Sequence, residues 1–334
     1  MSTSDFLRSG WGFTHNFSRL QRAAVWAAIA LTGCLAPVIV PAVGRLYQVR
    51  EVKPHVFVWI PEDIIEPDVD PQYGRAGNAG FVVTSEGVLV VDATNSPFHA
   101  REVLYEIRQK TDQPVRYLID TGDAGDEVLG NEVFADLQAQ ILSTPVIQGQ
   151  MRDRAQALAQ SPSGQTPSGR RLRGIHITPP NQTFQGEDQF LLGGWAIRLT
   201  AFDPSLHAVA VSLPNAKVVF LGDLFQNQYF PRLESRDVHR WIDALRQAES
   251  WNAEVYVPGH GDPGGAKDVA EFRHFLEWLT NEVQTRLAEG KSLDQVKQEL
   301  GNWSNYPWHA HELAAHLVED VYQQLAAAGG RKEP

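Results

Sequence analysis

YLIDTGDAGDEVLGN, residues 117–131, is the stretch of sequence that decides the fold. A strand-like apolar run ends at Ile119, and helix-like spacing begins near Asn131. The loop between them is rich in glycine and in acidic side chains.

Both sides of this loop predict strands alternating with helices. An apolar hairpin with a Gly turn precedes it, at 80–84 and 88–92, and its strands are typical of a sheet covered on both faces. Further strands are predicted at 55–60, 115–119, 140–143, 195–202, 208–213, 217–221 and 255–257. Helices are predicted at 97–110, 131–139, 238–248 and 266–287. This order predicts an α/β fold with two sheets inside and helices outside.

Four motifs in chain order resemble the metallo-β-lactamase-fold hydrolase superfamily. They are the hairpin that ends at Asp92, the loop from Thr121 to Asp126, Phe220-Leu221-Gly222-Asp223, and Pro258-Gly259-His260-Gly261. The resemblance runs from about Gly77 to His260. It implies an αββα sandwich over residues 45–265 and a C-terminal helical extension over 266–334. Asp92, at a strand end, is expected to be structural.

The first metal position of the family has lost its ligands. The family loop reads T-H-x-H-x-D-H, and its first two histidines fall on Gly122 and Ala124. Counting back without gaps from 212–214 puts the third histidine on Pro204. None of these side chains can bind a metal, and His207, three residues on, is a substitute only if it swings in. β-Lactam hydrolysis is not expected, because nothing obvious would polarise the lactam carbonyl.

The second metal position keeps donors. The resemblance places Asp126, Asp223 and His260 at three of its ligand positions, and Glu127 at the place of a histidine. Such a set is chemically able to hold one divalent metal (Mn, Fe or Zn), and a rebuilt two-metal site that uses unexpected residues is a further alternative. Its carboxylates suit manganese, iron or magnesium better than zinc.

The same residues also have structural explanations. Asp126 is then the cap of the following helix, Asp223 accepts backbone amides, and His260 bonds to one of them. Glu127 and Asp123 are then solvated loop charges. Without a metal, repulsion would raise the carboxylate pKa values, so a cation, a proton, or arginine and lysine from elsewhere is expected to neutralise the cluster.

The N-terminal region predicts export or membrane anchoring. A charge-free apolar stretch at 23–44 follows a polar segment at 1–22 that contains arginines. It is interpreted as a signal or an uncleaved membrane anchor, with lipidation of Cys34 or a buried soluble helix as alternatives. The protein is therefore expected to be membrane-anchored or periplasmic. The net charge of −11 argues against binding to nucleic acid.

Two further segments bear on binding. Residues 161–173 are rich in Ser, Gly and Pro, which is typical of a mobile loop. The C-terminal segment is expected to form a helical lid that packs aromatic rings on the body. Its aromatic and histidine side chains are Trp303, Trp308, His309, His311 and His316.

Two hypotheses about function remain. The first is a pseudoenzyme that binds an unknown small molecule or protein without hydrolysing it. The second is a mononuclear hydrolase of an ester or thioester, acting through Asp126, Glu127, Asp223 and His260. A third, weaker hypothesis is a membrane-tethered scaffold for an active relative. The pattern also looks like the periplasmic metallohydrolase-like proteins that accompany quinoprotein or sulfur-oxidation systems, which is an analogy at the level of the fold.

Overall fold

The computed structural model describes residues 46–62, 75–160, 174–233 and 236–330. Leu46–Pro334 forms one compact unit. The predicted anchor at 23–44, Cys34 and the loop at 161–173 lie outside the described residues. Among the described residues, no helix is both long enough and apolar enough to cross a bilayer.

The first sheet has seven strands in the order β1-β2-β3-β4-β5-β6-β7. They are β1 (Tyr47–Lys53), β2 (Val56–Pro61), β3 (Ala79–Thr84), β4 (Gly87–Val91), β5 (Val115–Ile119), β6 (Gln140–Ser143) and β7 (Gln182–Thr183). The first four strands pair antiparallel, and β4 to β7 pair parallel.

The second sheet has five strands in the order β12-β11-β10-β9-β8. They are β8 (Glu187–Leu192), β9 (Trp195–Ala201), β10 (Val209–Leu213), β11 (Val218–Gln226) and β12 (Val255–His260). β11 and β12 are parallel, and the other pairs are antiparallel. Strand β8 is therefore an edge strand.

Helices connect and cover the strands. They are α1 (Pro97–Arg108), α2 (Gly125–Val128), α3 (Asn131–Ala135), α4 (Pro145–Gln160), α5 (Val238–Glu249), α6 (Ala266–Ala288), α7 (Leu293–Leu300) and α8 (His311–Gly330). A single 3₁₀ turn, Pro204–Leu206, precedes β10.

The apolar side chains form three layers. The two sheets face each other through a cluster that includes Val91, Ile119, Val211 and Phe220. Separate clusters lie between the first sheet and α1 and α3, and between the second sheet and α5, α6 and α8. The predicted sandwich of two sheets with helices outside is confirmed for the described residues.

Several elements differ from the prediction. The helix predicted at 131–139 ends at Ala135, and Gln138 takes a positive φ of 61° that turns the chain into β6. Strands β1, β7 and β8 and helix α4 were not predicted. Helix α4 buries only Ile147 and Met151, so it lacks the broad apolar stripe on which such a prediction depends.

The C-terminal segment packs as predicted. Trp303 and Trp308 are buried, and their rings lie 5.4 and 5.6 Å from that of Phe230. His309 instead stacks on Tyr229, with ring centroids 4.8 Å apart. This segment therefore closes one side of the region where the strands end.

Candidate functional site

The candidate site lies where the carboxyl ends of strands from both sheets meet. Asp92 directly follows β4, Asp223 lies in β11, and His260 is the last residue of β12. Parallel pairing of β4 with β5 and of β11 with β12 brings these ends to one edge. The short helix α2 begins there and carries Asp126 and Glu127.

Three of the four proposed ligands converge. Donor atoms of Asp126, Asp223 and His260 all lie within 4.8 Å of one another, and the three residues are buried. His260 Nε2 is 2.9 Å from Asp126 Oδ2 and 3.8 Å from Asp223 Oδ1. Gln226 Nε2 donates to Asp223 Oδ1 at 2.8 Å.

Two arginines neutralise this cluster. Arg232 donates from a terminal nitrogen to Asp126 Oδ2 at 2.9 Å. A terminal nitrogen of Arg236 lies 4.0 Å from Asp223 Oδ2, and its guanidinium lies over the Trp241 ring at 5.2 Å. Both arginine side chains are 16% exposed, so each faces the cluster from its solvent side. A guanidinium charge thus accompanies each carboxylate.

The charge state of Asp126 follows from these contacts. Burial alone would raise its pKa, but Arg232 and His260 outweigh burial and hold the pKa well below its ordinary value. An ionised carboxylate can only accept, so Nε2 of His260 carries the proton in this contact. In this arrangement Nε2 is not free to bind a metal.

Glu127 does not join the three converging residues. Its carboxyl lies against Gly122, accepting from the amides of Asp223 at 3.1 Å and Ala124 at 3.3 Å. Thr121 Oγ1 lies 3.2 Å from Glu127 Oε1. The side chain is buried, so the prediction of a solvated loop charge is wrong.

The surroundings of Glu127 favour its neutral form. Burial, and then the charges of Asp223, Asp92 and Asp126, raise its pKa well above the ordinary value, with a smaller opposing effect of Arg236. Proton binding to Glu127 is therefore easier than to an exposed glutamate, and its carboxyl oxygens accept from the donors of the loop.

The first metal of the family does not fit these residues. Gly122, Ala124 and Pro204 offer no donor, and a Cβ on Gly122 would lie 2.2 Å from Glu127 Oε2. His207 does not swing in: its Nδ1 lies 3.3 Å from Asp123 Oδ1. The space of the lost ligands is filled by a side chain.

Asp123 is likewise occupied outside the converging cluster. Burial would raise its pKa, but the hydrogen bond and charge of His207 and the charges of Arg154 and Arg236 lower it overall. The Arg154 guanidinium lies 3.7 Å from the carboxylate. Asp123 therefore belongs to a separate group of ion pairs, with His207 and Arg154, outside the converging cluster.

A single cation at the second position does fit the donor set. Asp126 Oδ1 is buried and has no hydrogen-bond partner among the described residues. A void of about 10 Å³ borders Asp126, Asp223 and His260, which is about the space of one water molecule or ion. Binding there would require Arg232 to move and Nε2 of His260 to be the ring nitrogen without a hydrogen.

The remaining acidic residues support the loop. Asp92 accepts from the amide and hydroxyl of Thr121, both at 2.7 Å, and burial raises its pKa to about 7. Asp120 accepts from Asn131 Nδ2 at 2.8 Å, and burial raises its pKa well above the ordinary value. Asp126 lies inside α2, and Gly130 is the N-cap of α3, so the prediction that Asp126 caps the following helix is wrong.

A larger polar cavity adjoins the cluster on the His260 side. It measures about 540 Å³ and is bounded by Arg75, Asn78, Tyr229, His260 and His309, among others. A cavity of this size can hold a small organic ligand beside the cluster.

Arg232 and Arg236 were not identified from the sequence. The sequence predicted that a cation, a proton, or arginine and lysine from elsewhere neutralises the cluster, without naming a residue. The available signal was two arginines spaced by four positions in the segment after the strand that carries Asp223.

Residues 73–260, more than half of the chain, match the profile of the Metallo-beta-lactamase superfamily. Among solved structures, a metallo-beta-lactamase from Pontibacter korlensis is similar, with 19% identity, a TM-score of 0.53, and 69% of this chain and 99% of that chain covered. The DIM-1 metallo-beta-lactamase has 17% identity and a TM-score of 0.54, covering 69% and 96%. At these identities the likeness concerns the fold alone.

A curated relative is also similar in sequence. It is a linear primary-alkylsulfatase from a Pseudomonas strain, 20% identical over 287 residues, with 73% of this chain covered. The match covers 54% of that protein, so the chain spans about half the length of the relative.

Proposed function

The chain belongs to the metallo-β-lactamase superfamily, and we propose that it is a non-hydrolytic member that binds its ligand at a site neutralised by arginine in place of metal. The observation that carries this proposal is the contact of Asp126 Oδ2 with both Arg232 and His260 at 2.9 Å. One oxygen of the carboxylate that should bind the second metal therefore already accepts from two nitrogen donors.

The charges support the proposal. The carboxylates of Asp126 and Asp223 are balanced by the guanidinium groups of Arg232 and Arg236, while the pKa of Glu127 is raised by burial and by the neighbouring carboxylates. A divalent cation would add two positive charges to a buried cluster in which the carboxylate and guanidinium charges already balance. It would also lie near two guanidinium groups, which oppose its entry.

The chemistry of Arg236 indicates an oxyanion on the ligand. Its guanidinium makes no hydrogen bond with the described residues, although its side chain is mostly buried. A mostly buried guanidinium with free N–H donors is suited to bind a sulfate, carboxylate or phosphate group. The relative named as a linear primary-alkylsulfatase supports an alkyl sulfate ester as the first ligand to try.

The test is a paired assay of binding and turnover with hexyl sulfate, a linear alkyl sulfate that stays monomeric. Calorimetry should detect binding that weakens in Arg236→Gln, and ion chromatography should detect no release of sulfate. Release of sulfate that disappears in His260→Ala would contradict a non-hydrolytic protein.

The single-metal hydrolase is the second candidate, and the partnerless buried Asp126 Oδ1 favours it. Asp126, Asp223 and His260 would hold the cation. Glu127 would not join them, because its carboxyl accepts from the backbone amide of Asp223. A bound Mn, Fe or Zn ion would supply a Lewis acid and a water of lowered pKa for an ester or thioester. Added metal should then produce turnover.

We propose, in addition, that the protein is exported or anchored to a membrane. The charge-free stretch at 23–44 supports this from sequence alone. Fractionation of cells that express the full chain, beside Cys34→Ser, tests it. A wholly cytoplasmic chain would contradict export, and a loss of membrane association only in Cys34→Ser would indicate lipidation.

A further inference from the structure

A groove on the second sheet, far in sequence from the acidic loop, has the chemistry of a ligand site. It measures about 710 Å³ and lies over the outer face of β8 and β9, beside the turn that follows α5. Cavities of this size are typical of small-ligand sites.

Strand register places a row of polar side chains on the floor of the groove. Gln189 pairs with Arg198, and Arg198 pairs with Ser212, so the three side chains share one face. Two residues further along each strand, Glu187 pairs with Thr200, so these two side chains lie on the same face.

The row ends where the helices begin. Ser212 pairs with Val219, which is buried with Trp241 and Tyr256 in the cluster under α5 and α6. The helices thus cover the β11 side of this face and leave the β8 and β9 side open. The groove lies at the boundary between the part of the sheet that the helices cover and the part that they leave exposed.

The polar side chains of the floor are not engaged with the protein. Those of Gln189, Arg198, Thr200 and Ser212 make no hydrogen bond or ion pair with the described residues. Their donors and acceptors are available to a ligand.

Trp251 forms the wall of the groove. Its ring stacks on Phe202 at 6.1 Å, and its indole N–H makes no hydrogen bond with the described residues. The turn that carries it is held by the buried Tyr256 hydroxyl, which donates to Ala248 O at 3.1 Å and accepts from Ala253 N at 3.2 Å. The wall is therefore fixed before a ligand arrives.

We propose that this groove binds a neutral saccharide. A sugar presents an apolar C–H face that packs on an indole ring, and hydroxyl groups that each donate and accept. The floor offers a matching mixture, since Arg198 only donates, Glu187 only accepts, and Ser212 and Thr200 do both. The opposite charges of Arg198 and Glu187 favour a neutral ligand over an ionic one.

The edge of β8 does not favour a peptide strand instead. The Asp188 carboxylate accepts from Gln189 N at 2.8 Å. This backbone N–H of the edge strand is therefore already hydrogen-bonded and is not available to pair with another strand. Charged residues placed in this way oppose the addition of another strand.

The test is saturation-transfer NMR of the full-length protein with maltose, cellobiose and N,N′-diacetylchitobiose at millimolar concentration. At least one sugar should bind, with affinity reduced about tenfold in Trp251→Ala and Arg198→Gln. Trp278→Ala, which removes a tryptophan that is 43% exposed elsewhere, is the matched control and should bind normally.

Arg198 is exposed, so Arg198→Gln keeps the test valid even if the loss of Trp251 disturbs folding. Absence of saturation transfer from all three sugars would overturn the proposal. Binding that is equal in wild type and Arg198→Gln would overturn it as well.

Discussion

Replacing Arg232 with methionine separates arginine neutralisation from metal binding. Methionine keeps much of the apolar stem and removes the charge that bonds to Asp126 Oδ2 at 2.9 Å. The side chains of Arg232 and Asp126 are 16% and 2% exposed, so this is a mostly buried ion pair. Loss of one partner of such a pair leaves the other charge buried and uncompensated.

The expected loss of unfolding free energy is about 2–4 kcal/mol, below the full range for a buried pair because His260 still donates to Asp126. The matched control is Arg240→Met. Its ion pair with Asp203 spans 3.7 Å and is exposed, so less than about 0.5 kcal/mol should be lost. Urea unfolding followed by far-UV circular dichroism measures both.

The pH dependence has a definite sign. Because the pKa of Asp126 is lowered in the folded protein, its stabilising contribution is present above the unfolded value of about 3.9 and is lost as the pH falls through the folded value. The difference between wild type and Arg232→Met should therefore be full at neutral pH and shrink in acid.

The same variant also tests for metal. With Arg232 removed, zinc or manganese should raise the melting temperature of the variant, because Asp126, Asp223 and His260 are then available. Neither metal should stabilise the wild type. A wild type stabilised by zinc, with a variant no less stable than Arg240→Met, would refute the reasoning.

Three further predictions concern the loop. Burial raises the pKa of Asp92 to about 7, so the contribution of Asp92 to stability should fall as the pH rises from about 4 to 7, by about 1.4 kcal/mol per unit of pKa difference. Asp92→Asn should flatten this fall in urea titrations, and an unchanged slope would argue against a raised pKa of Asp92. Glu127→Gln should lose less stability at pH 7 than Glu127→Ala, which should lose about 2–3 kcal/mol, because burial and neighbouring carboxylates raise the pKa of Glu127 and disfavour its charged form; equal losses would contradict a raised pKa. Gly122→Ala should cost about 1–3 kcal/mol because its Cβ would meet Glu127 Oε2, and the double variant with Glu127→Ala should recover part of that loss; strictly additive losses would show that the two do not touch.

The strands and the loop were predictable because their signals are local. Apolar runs bounded by turn residues located most of the strands of both sheets, and the resemblance of the motifs around Asp126, Asp223 and His260 to the family pattern located the cluster. The short edge strands β7 and β8 carry polar or exposed residues, so hydrophobic patterning could not detect them.

The direction of Glu127 was mispredicted for a geometric reason. The resemblance placed Asp126 and Glu127 at one metal, but Gly122 leaves space for the Glu127 carboxyl, and the amides of Asp223 and Ala124 donate to it there. Once α2 forms, Asp126 faces His260 while Glu127 faces Gly122. The family pattern alone does not show which neighbours would hold a glutamate at this position.

The arginines could not be assigned because their partners are distant in sequence. Arg232 meets Asp126 across 106 positions, and nothing local to either residue records the contact. Only the expected repulsion among the carboxylates indicated that some cation must approach.

The most direct test is metal content, measured by elemental mass spectrometry on the purified protein after exposure to zinc, manganese and iron and removal of free metal. Arginine neutralisation predicts far less than one equivalent of any metal in the wild type, the same in His260→Ala, and uptake only in Arg232→Met. About one equivalent in the wild type that is lost in His260→Ala would contradict the account and establish the single-metal site.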